Sequence, residues 1–135
     1  MKSLEEIIHI VCELCSSQNA IIAAYIFGSI SKGKIRKSSD IDIAILLDAA
    51  HLKSFSVPSF ITILEKAMAC RVDVVILNRS DEVLKYEVRR TGRLIFERFP
   101  TLRKRFEIKG RKTFEDFLYL HKKYVDKVLY QEKNG

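Results

Sequence analysis

Asp40 and Asp42 stand one residue apart in Ser39-Asp40-Ile41-Asp42-Ile43, separated by ten residues from the pair Gly28-Ser29, and a third acid, Asp73, lies in Arg71-Val72-Asp73-Val74-Val75. The neighbours of each acid are apolar and mostly β-branched, so all three fall in segments that read as buried strands. Taking an ionised carboxylate out of water is costly unless a positive charge compensates. For three convergent carboxylates the simplest compensation is a divalent cation bound through oxygen. Side chains alternate along a strand, so Asp40 and Asp42 share one face while Ile41, Ile43, Ile45 and Leu47 take the other. If the strand carrying Asp73 is adjacent, its carboxylate reaches the same site. Two cations there could stabilise the attacking and leaving oxygens of an in-line displacement.

The chemistry next to such a site follows from Gly28-Ser29. A glycine at the end of a strand lets the backbone approach a phosphate closely. The amides that follow, with the Ser29 hydroxyl, can donate to phosphate oxygens. Lys32, Lys34, Arg36 and Lys37 add positive charge between this turn and the acidic pair, so a triphosphate and a metal would lie side by side.

The elements that must position these residues are legible from periodicity. Leu4, Ile7, Ile8, Val11, Cys12, Leu14 and Cys15 repeat at helical spacing, which predicts a helix near 3–18. Strands follow over Ala20 to Phe27 and Asp40 to Leu47, joined by a polar, basic loop. A helix from Pro58 to about Ala69 turns Phe60, Ile61, Leu64, Ala67 and Met68 inward. Val72 to Leu77 reads as a third strand. Ser80 is placed to cap a helix that ends near Gly92 as its C′ residue, and Leu94 to Phe96 is a fourth strand. Arg98 to Lys112 is basic and poorly periodic and reads as a linker. Thr113 to Asp116 resembles a capping box, opening a last helix whose stripe includes Phe114, Phe117, Leu118, His121, Tyr124, Val125, Val128 and Leu129. The order predicts a single α/β (α+β) domain over 1–135, with a small mixed sheet and helices packed mainly on one side. Its catalytic core spans about 20–97, and a basic linker and helix span about 98–131.

The whole-chain properties narrow the function class. The chain has 135 residues, 47% apolar, with a net charge of +7, which favours polyanionic partners such as nucleotides or nucleic acid. No apolar run reaches membrane-spanning length, and the acidic start Met1-Lys2-Ser3-Leu4-Glu5-Glu6 is unlike an export signal, so a cytoplasmic protein is expected. Cys12 and Cys15 form a C-x-x-C on the apolar stripe of a helix. With no second cysteine pair and no suitably spaced histidines, they read as core thiols rather than as a zinc or redox site.

Taken together, Phe27-Gly28-Ser29, Gly33 and Ser39-Asp40-Ile41-Asp42-Ile43, with a later strand carrying Asp73, resemble the nucleotidyltransferase superfamily typified by DNA polymerase β. The segment Leu84-Lys85-Tyr86-Glu87-Val88-Arg89-Arg90-Thr91-Gly92 and the short chain look like its minimal nucleotidyltransferase (MNT) branch. The resemblance covers roughly residues 20–97. It departs at Lys32, where many minimal members carry Arg, which keeps the charge and loses the bidentate fork. It implies a palm-like fold and a Mg²⁺-dependent transfer of AMP from ATP to a hydroxyl. Asp40, Asp42 and Asp73 would hold two metal ions, with Asp73 also helping to deprotonate the acceptor. Gly28, Ser29, Lys32 and Ser39 would face the nucleotide. Many minimal members are encoded beside HEPN-domain proteins and act as antitoxins, so the implied partner is a HEPN RNase toxin and the implied acceptor one of its tyrosines. Two rivals remain: transfer to an aminoglycoside-like small molecule, and a non-catalytic antitoxin that binds and masks its partner.

Overall fold

A computed structural model describes residues 2–28 and 40–134. Helix α1 (Leu4–Ser16) leads into β1 (Ile21–Phe27), β2 (Ile41–Leu47), α2 (Val57–Met68), β3 (Val72–Ile76), α3 (Glu82–Thr91), β4 (Arg93–Glu97) and α4 (Pro100–Asn134), with short 3₁₀ turns after β2 and β3. The sheet order is β3-β2-β1-β4. β1 runs antiparallel to both β2 and β4, and β2 runs parallel to β3. The mixed sheet is therefore as the sequence predicts, and the parallel pair sets the two acidic strands side by side.

The first three helices begin where a side chain can satisfy their open amides. Ser3, Ser56 and Asp81 accept from Glu6, Ser59 and Leu84, respectively. Asp81 rather than Ser80 caps α3, because the Ser80 hydroxyl donates to the carbonyl of Ile76 at 2.8 Å. Gly92 ends α3 in an extended conformation (φ −76°), not the left-handed one expected of a C′ glycine. It is required for another reason: a Cβ there would lie 2.3 Å from the Val88 carbonyl oxygen.

Strand alternation divides the interior into two clusters. Ile26, Ile41, Ile43, Ile45 and Leu47 meet Ile7, Val11 and Cys15 of α1 and Phe60, Leu64 and Met68 of α2 in the larger one. On α2 the inward stripe is narrower than expected, since Ala67 is exposed. The opposite face carries the smaller residues Ala23 and Ala44, with Ile22, Tyr25, Leu46 and Leu77, packed against Val88 of α3 and Phe106 of α4. A register slip between Ile21 and Ala23 puts Ile22 and Ala23 on the same side.

The largest departure from the sequence reading is α4. Residues 98–112 are not a linker: Pro100–Asn134 is one helix of 35 residues, about 50 Å long at 1.5 Å per residue. Most residues after Pro100 are good helix formers, and the single Gly110 does not break the run. Gly110 is buried, and a Cβ on it would meet a guanidinium nitrogen of Arg89 at 2.7 Å. Thr113 does not cap; its hydroxyl donates to the Lys109 carbonyl one turn back at 2.8 Å. The first turns of α4 are clamped to the sheet. Arg103 bonds Glu97 at 2.6 Å and Glu107 at 2.9 Å, and Glu107 accepts from the Tyr25 hydroxyl at 2.5 Å. Arg98 donates to the carbonyls of Cys15, Ser16 and Gln18, placing a positive charge at the C-terminus of α1, which has none of its own. The second half of α4 leaves Leu118, Tyr119, Leu120, Tyr124 and Leu129 exposed.

Candidate active site

All three acids lie at one end of the sheet, with Asp42 and Asp73 on the face opposite α1 and α2. Asp42 is the second residue of β2 and Asp73 the second of β3, and the two are register partners across the parallel pair. Adjacent strands lie about 4.8 Å apart, so both carboxylates leave neighbouring backbones in the same direction. Asp40 lies just before β2, one pleat from Asp42, and is exposed, as is Asp73. The edge is fixed by backbone bonds: the Ile41 amide donates to the Arg71 carbonyl at 3.0 Å, and the Val72 amide donates to the Glu65 carboxylate at 3.1 Å. Glu65 thus holds the strand that carries Asp73. Its spacing on α2 gave no sign of this, because the contact exists only after α2 folds back.

Gly28 completes the geometry. It follows β1 with φ +78°, a left-handed conformation, and a Cβ built on it would stand 2.7 Å from Oδ2 of Asp42. The sequence rationale for glycine was phosphate approach; the structure adds that Asp42 leans over this residue. Burial raises the Asp42 pKa from its ordinary value, and the negative charges of Asp73 and Asp40 raise it further. Among the described residues no Lys, Arg or His side chain forms an ion pair with Asp40, Asp42 or Asp73.

Such a donor set, all oxygen and all anionic, suits a hard divalent cation. Among the described residues no three His, Cys, Asp or Glu side chains converge into a ready-made cage. Mg²⁺ does not require one. It is usually held by one or two carboxylates together with substrate phosphates and water, and the Asp42–Asp73 pair matches that habit. Ser29, Lys32 and Ser39, expected on the nucleotide, lie outside the described residues, as do Gly33, Lys34, Arg36 and Lys37.

The other residues singled out by type have structural roles. Cys15 is fully buried, and its pKa is pushed up to about 12, chiefly by burial. The Cys12 thiol, also raised by burial, donates to the Ile95 carbonyl at 2.7 Å. Neither is a thiolate at neutral pH, so neither is a ready metal ligand. Asp48 caps the turn after β2, as a strand-ending acid should. His9 pairs with Glu13 on the surface of α1. His121 is exposed on α4 and stacks on Phe117. No described helix is long and apolar enough to cross a membrane.

The fold recurs in known structures. A toxin–antitoxin complex solved with AMP-PNP contains a chain that superposes with a TM-score of 0.74 at 23% identity, over 90% of this chain and 98% of that one. The MNT antitoxin in complex with the tri-AMPylated HEPN toxin of Shewanella oneidensis gives 0.68 at 21% identity, over 93% and 98%. A protein described as a minimal nucleotidyltransferase gives 0.58 at 24% identity, over 68% and 95%. A search of curated proteins returns no match. The family model "Polymerase beta, Nucleotidyltransferase" matches residues 9–101, a span that takes in most of α1, all four strands and every carboxylate of the edge. With the glycine turn, the in-register acids and the mixed sheet in place, the chain belongs to the polymerase β nucleotidyltransferase family.

Proposed function

We propose that the protein is a Mg²⁺-dependent adenylyltransferase that moves AMP from ATP to a tyrosine hydroxyl of a HEPN RNase toxin, and so acts as its antitoxin in the cytoplasm. The observation that carries the proposal is the register pairing of Asp42 with Asp73 beside Gly28, an arrangement that suits a metal-assisted transfer site. Asp40, Asp42 and Asp73 would hold the metal ions, which when bound neutralise phosphate charge and lower the pKa of an oxygen nucleophile. Gly28 leaves room for the Asp42 carboxylate and would let the backbone approach the triphosphate, whose oxygens the Ser29 hydroxyl, Lys32 and Ser39 would bind. Asp73 is exposed, so an acceptor can reach it from outside, and its carboxylate takes the proton of the attacking hydroxyl. Alignment of that hydroxyl with the α-phosphorus supplies much of the rate.

A protein acceptor fits the shape of the chain. The start of α4 is occupied in packing on the sheet, and its second half exposes apolar side chains instead of enclosing a small-molecule pocket over the acids. Fold relatives seen in toxin–antitoxin complexes, one of them with a tri-AMPylated HEPN toxin, support the same reading. The test is to incubate the purified protein with ATP, Mg²⁺ and the protein encoded beside it, then to search for AMP on tyrosine peptides by mass spectrometry. AMP on a tyrosine of the neighbour is the expected result. Efficient transfer to an aminoglycoside with none to the neighbour would overturn it, as would inhibition of the neighbour with no covalent change.

A further inference from the structure

The turn between α2 and β3 is built on Glu65. Its carbonyl accepts the Ala69 amide at 2.8 Å, which ends α2. Ala69 then takes a left-handed conformation (φ 55°), the one non-glycine residue to do so among the described residues. The chain reverses, and the Val72 amide donates to the Glu65 carboxylate at 3.1 Å. One residue thus closes the helix with its backbone and opens the strand with its side chain. The Val72 amide has no strand to pair with. β3 is an edge strand, and in its ladder with β2 the Arg71 carbonyl accepts the Ile41 amide at 3.0 Å. The Val72 amide of the same peptide group therefore points away from β2, toward the open edge. Glu65 supplies the acceptor that the sheet cannot.

That peptide group is tied to the acids on both sides. Ile41, which it holds through the Arg71 carbonyl, stands between Asp40 and Asp42, and Val72 immediately precedes Asp73. The residue type at position 65 is informative as well. A carboxylate in the last turn of a helix faces the negative end of its dipole, and Glu65 lies in the last turn of α2. Among the described residues it forms no ion pair. Its compensation is the charge-assisted bond to the Val72 amide, so an acid disfavoured by its helix is kept where it fixes the start of β3.

We infer that Glu65 is a positioning residue for metal binding: by holding the Val72 amide it keeps the Asp73 carboxylate beside that of Asp42, so that the pair receives a divalent cation without rearranging. The inference rests on the proposed function, in which Asp42 and Asp73 hold the metal. Glu65 acts through the strand and touches neither cation nor nucleotide. Without its bond the start of β3 keeps only the tether to Ile41. Asp73 is exposed and carries the same charge as Asp42, so a loosened strand end lets the two carboxylates move apart. A cation must then pay to bring them back, and the loss appears in metal affinity more than in stability.

The test reads metal binding apart from transfer. Mn²⁺, a paramagnetic substitute for Mg²⁺, is titrated into the full-length protein without nucleotide, and the free ion is followed by electron paramagnetic resonance. Glu65→Ala should weaken binding about tenfold or more, the loss typical when a group that orients a ligand is removed, and should speed exchange of the Val72 amide. Glu65→Asp keeps the charge but withdraws it from the amide, and should weaken binding in the same way. Glu65→Gln keeps an acceptor in place and should stay within about threefold of wild type, because a neutral bond is weaker than a charged one. Tyr25→Phe removes a hydrogen bond to a carboxylate elsewhere on the open face and should leave Mn²⁺ affinity unchanged while lowering stability. In the transfer assay Glu65→Ala should raise the Mg²⁺ concentration giving half the maximal rate, with most of the rate restored at saturation. Wild-type Mn²⁺ affinity in Glu65→Ala and Glu65→Asp would overturn the inference. So would a loss in Glu65→Gln with none in Glu65→Asp, which assigns the effect to charge, or an equal loss in Tyr25→Phe, which assigns it to stability. Wild-type protein that binds no Mn²⁺ would overturn it together with the metal assignment; wild-type protein that binds Mn²⁺ and transfers nothing would overturn only the proposed function.

Discussion

The two faces of the sheet divide the work of the protein. Under α1 and α2 the strands present Ile26, Ile41, Ile43, Ile45 and Leu47, all essentially without solvent contact, and no charged group enters. The other face begins the same strands with Asp42 and Asp73, continues with Ala23 and Ala44, and holds the Tyr25–Glu107–Arg103 bonds beneath α4. One face buries branched apolar side chains and supplies stability. The other accepts like charges in register, which disfavour the folded state, and places them where a ligand could use them. Residues 41 to 47 serve both, with odd positions turned to the larger core and even positions to the other face, where Asp42 precedes Ala44 and Leu46 of the smaller cluster. A fold of this size can tolerate uncompensated carboxylates because they project from strands whose backs are sealed.

The contrast can be broken most forcefully from the sealed side. Phe60 is 2% exposed, and Phe60→Ala should destabilise the protein by about 3–5 kcal/mol, the cost of a lost ring plus the cavity left behind. Urea denaturation measures it, and a loss below about 1 kcal/mol would mean that α2 does not seal that face. Gly28→Ala acts on the chemical side. The left-handed φ alone costs about 1–2 kcal/mol, and the new methyl must displace the Asp42 carboxylate. ATP affinity measured by calorimetry in Mg²⁺ should fall with stability, whereas Phe60→Ala should spare the affinity of the molecules that remain folded. Tyr25→Phe removes one hydrogen bond to a carboxylate and should cost about 1.5–3 kcal/mol, reported by amide exchange at the start of α4.

The smallest effect has the opposite sign. The folded-state pKa of Asp42 is raised above its ordinary value of 3.8, so the folded protein holds this proton more tightly than the unfolded chain. The penalty from Asp42 is absent well below pH 3.8, grows as pH rises through the raised value, and is complete at neutral pH. Asp42→Asn should therefore raise the melting temperature at pH 7 in the presence of a chelator, and lose that advantage near pH 3. A lower melting temperature at pH 7 would show that the carboxylate has a compensating partner.

How much of this was legible in the sequence follows the same division. Strict alternation in Ile41-Asp42-Ile43-Ala44-Ile45 assigned both faces of β2 at once, and the β-branched run around Asp73 marked β3 as a strand, whose place beside β2 comes from the parallel pairing in the structure. Local chemistry also placed the start of α2 at Pro58, one residue inside the observed helix. What escaped depended on contacts distant in sequence. Arg98 to Lys112 lacks a periodic apolar stripe because its helix is held by ion pairs to Glu97 and Glu107 and by one aromatic, Phe106, rather than by a continuous hydrophobic seam. Gly92 read as a C′ residue and Gly110 fell inside the stretch read as a linker, yet at each a carbonyl or a side chain passes where a Cβ would stand. Glu65 and Arg98 hold the acidic edge and α1 through backbone groups, a use that no spacing rule signals.

The central claim is that the acidic end of the open face carries nucleotidyl transfer. It is tested most directly by following label from α-labelled ATP into the neighbouring protein, with wild type and Asp42→Asn compared under Mg²⁺ and thermal melting recorded on the same samples. The account predicts transfer reduced to background in the variant with a melting temperature equal to or above wild type, because the same carboxylate that serves the reaction burdens the fold. Retained transfer in a well-folded Asp42→Asn protein would contradict it.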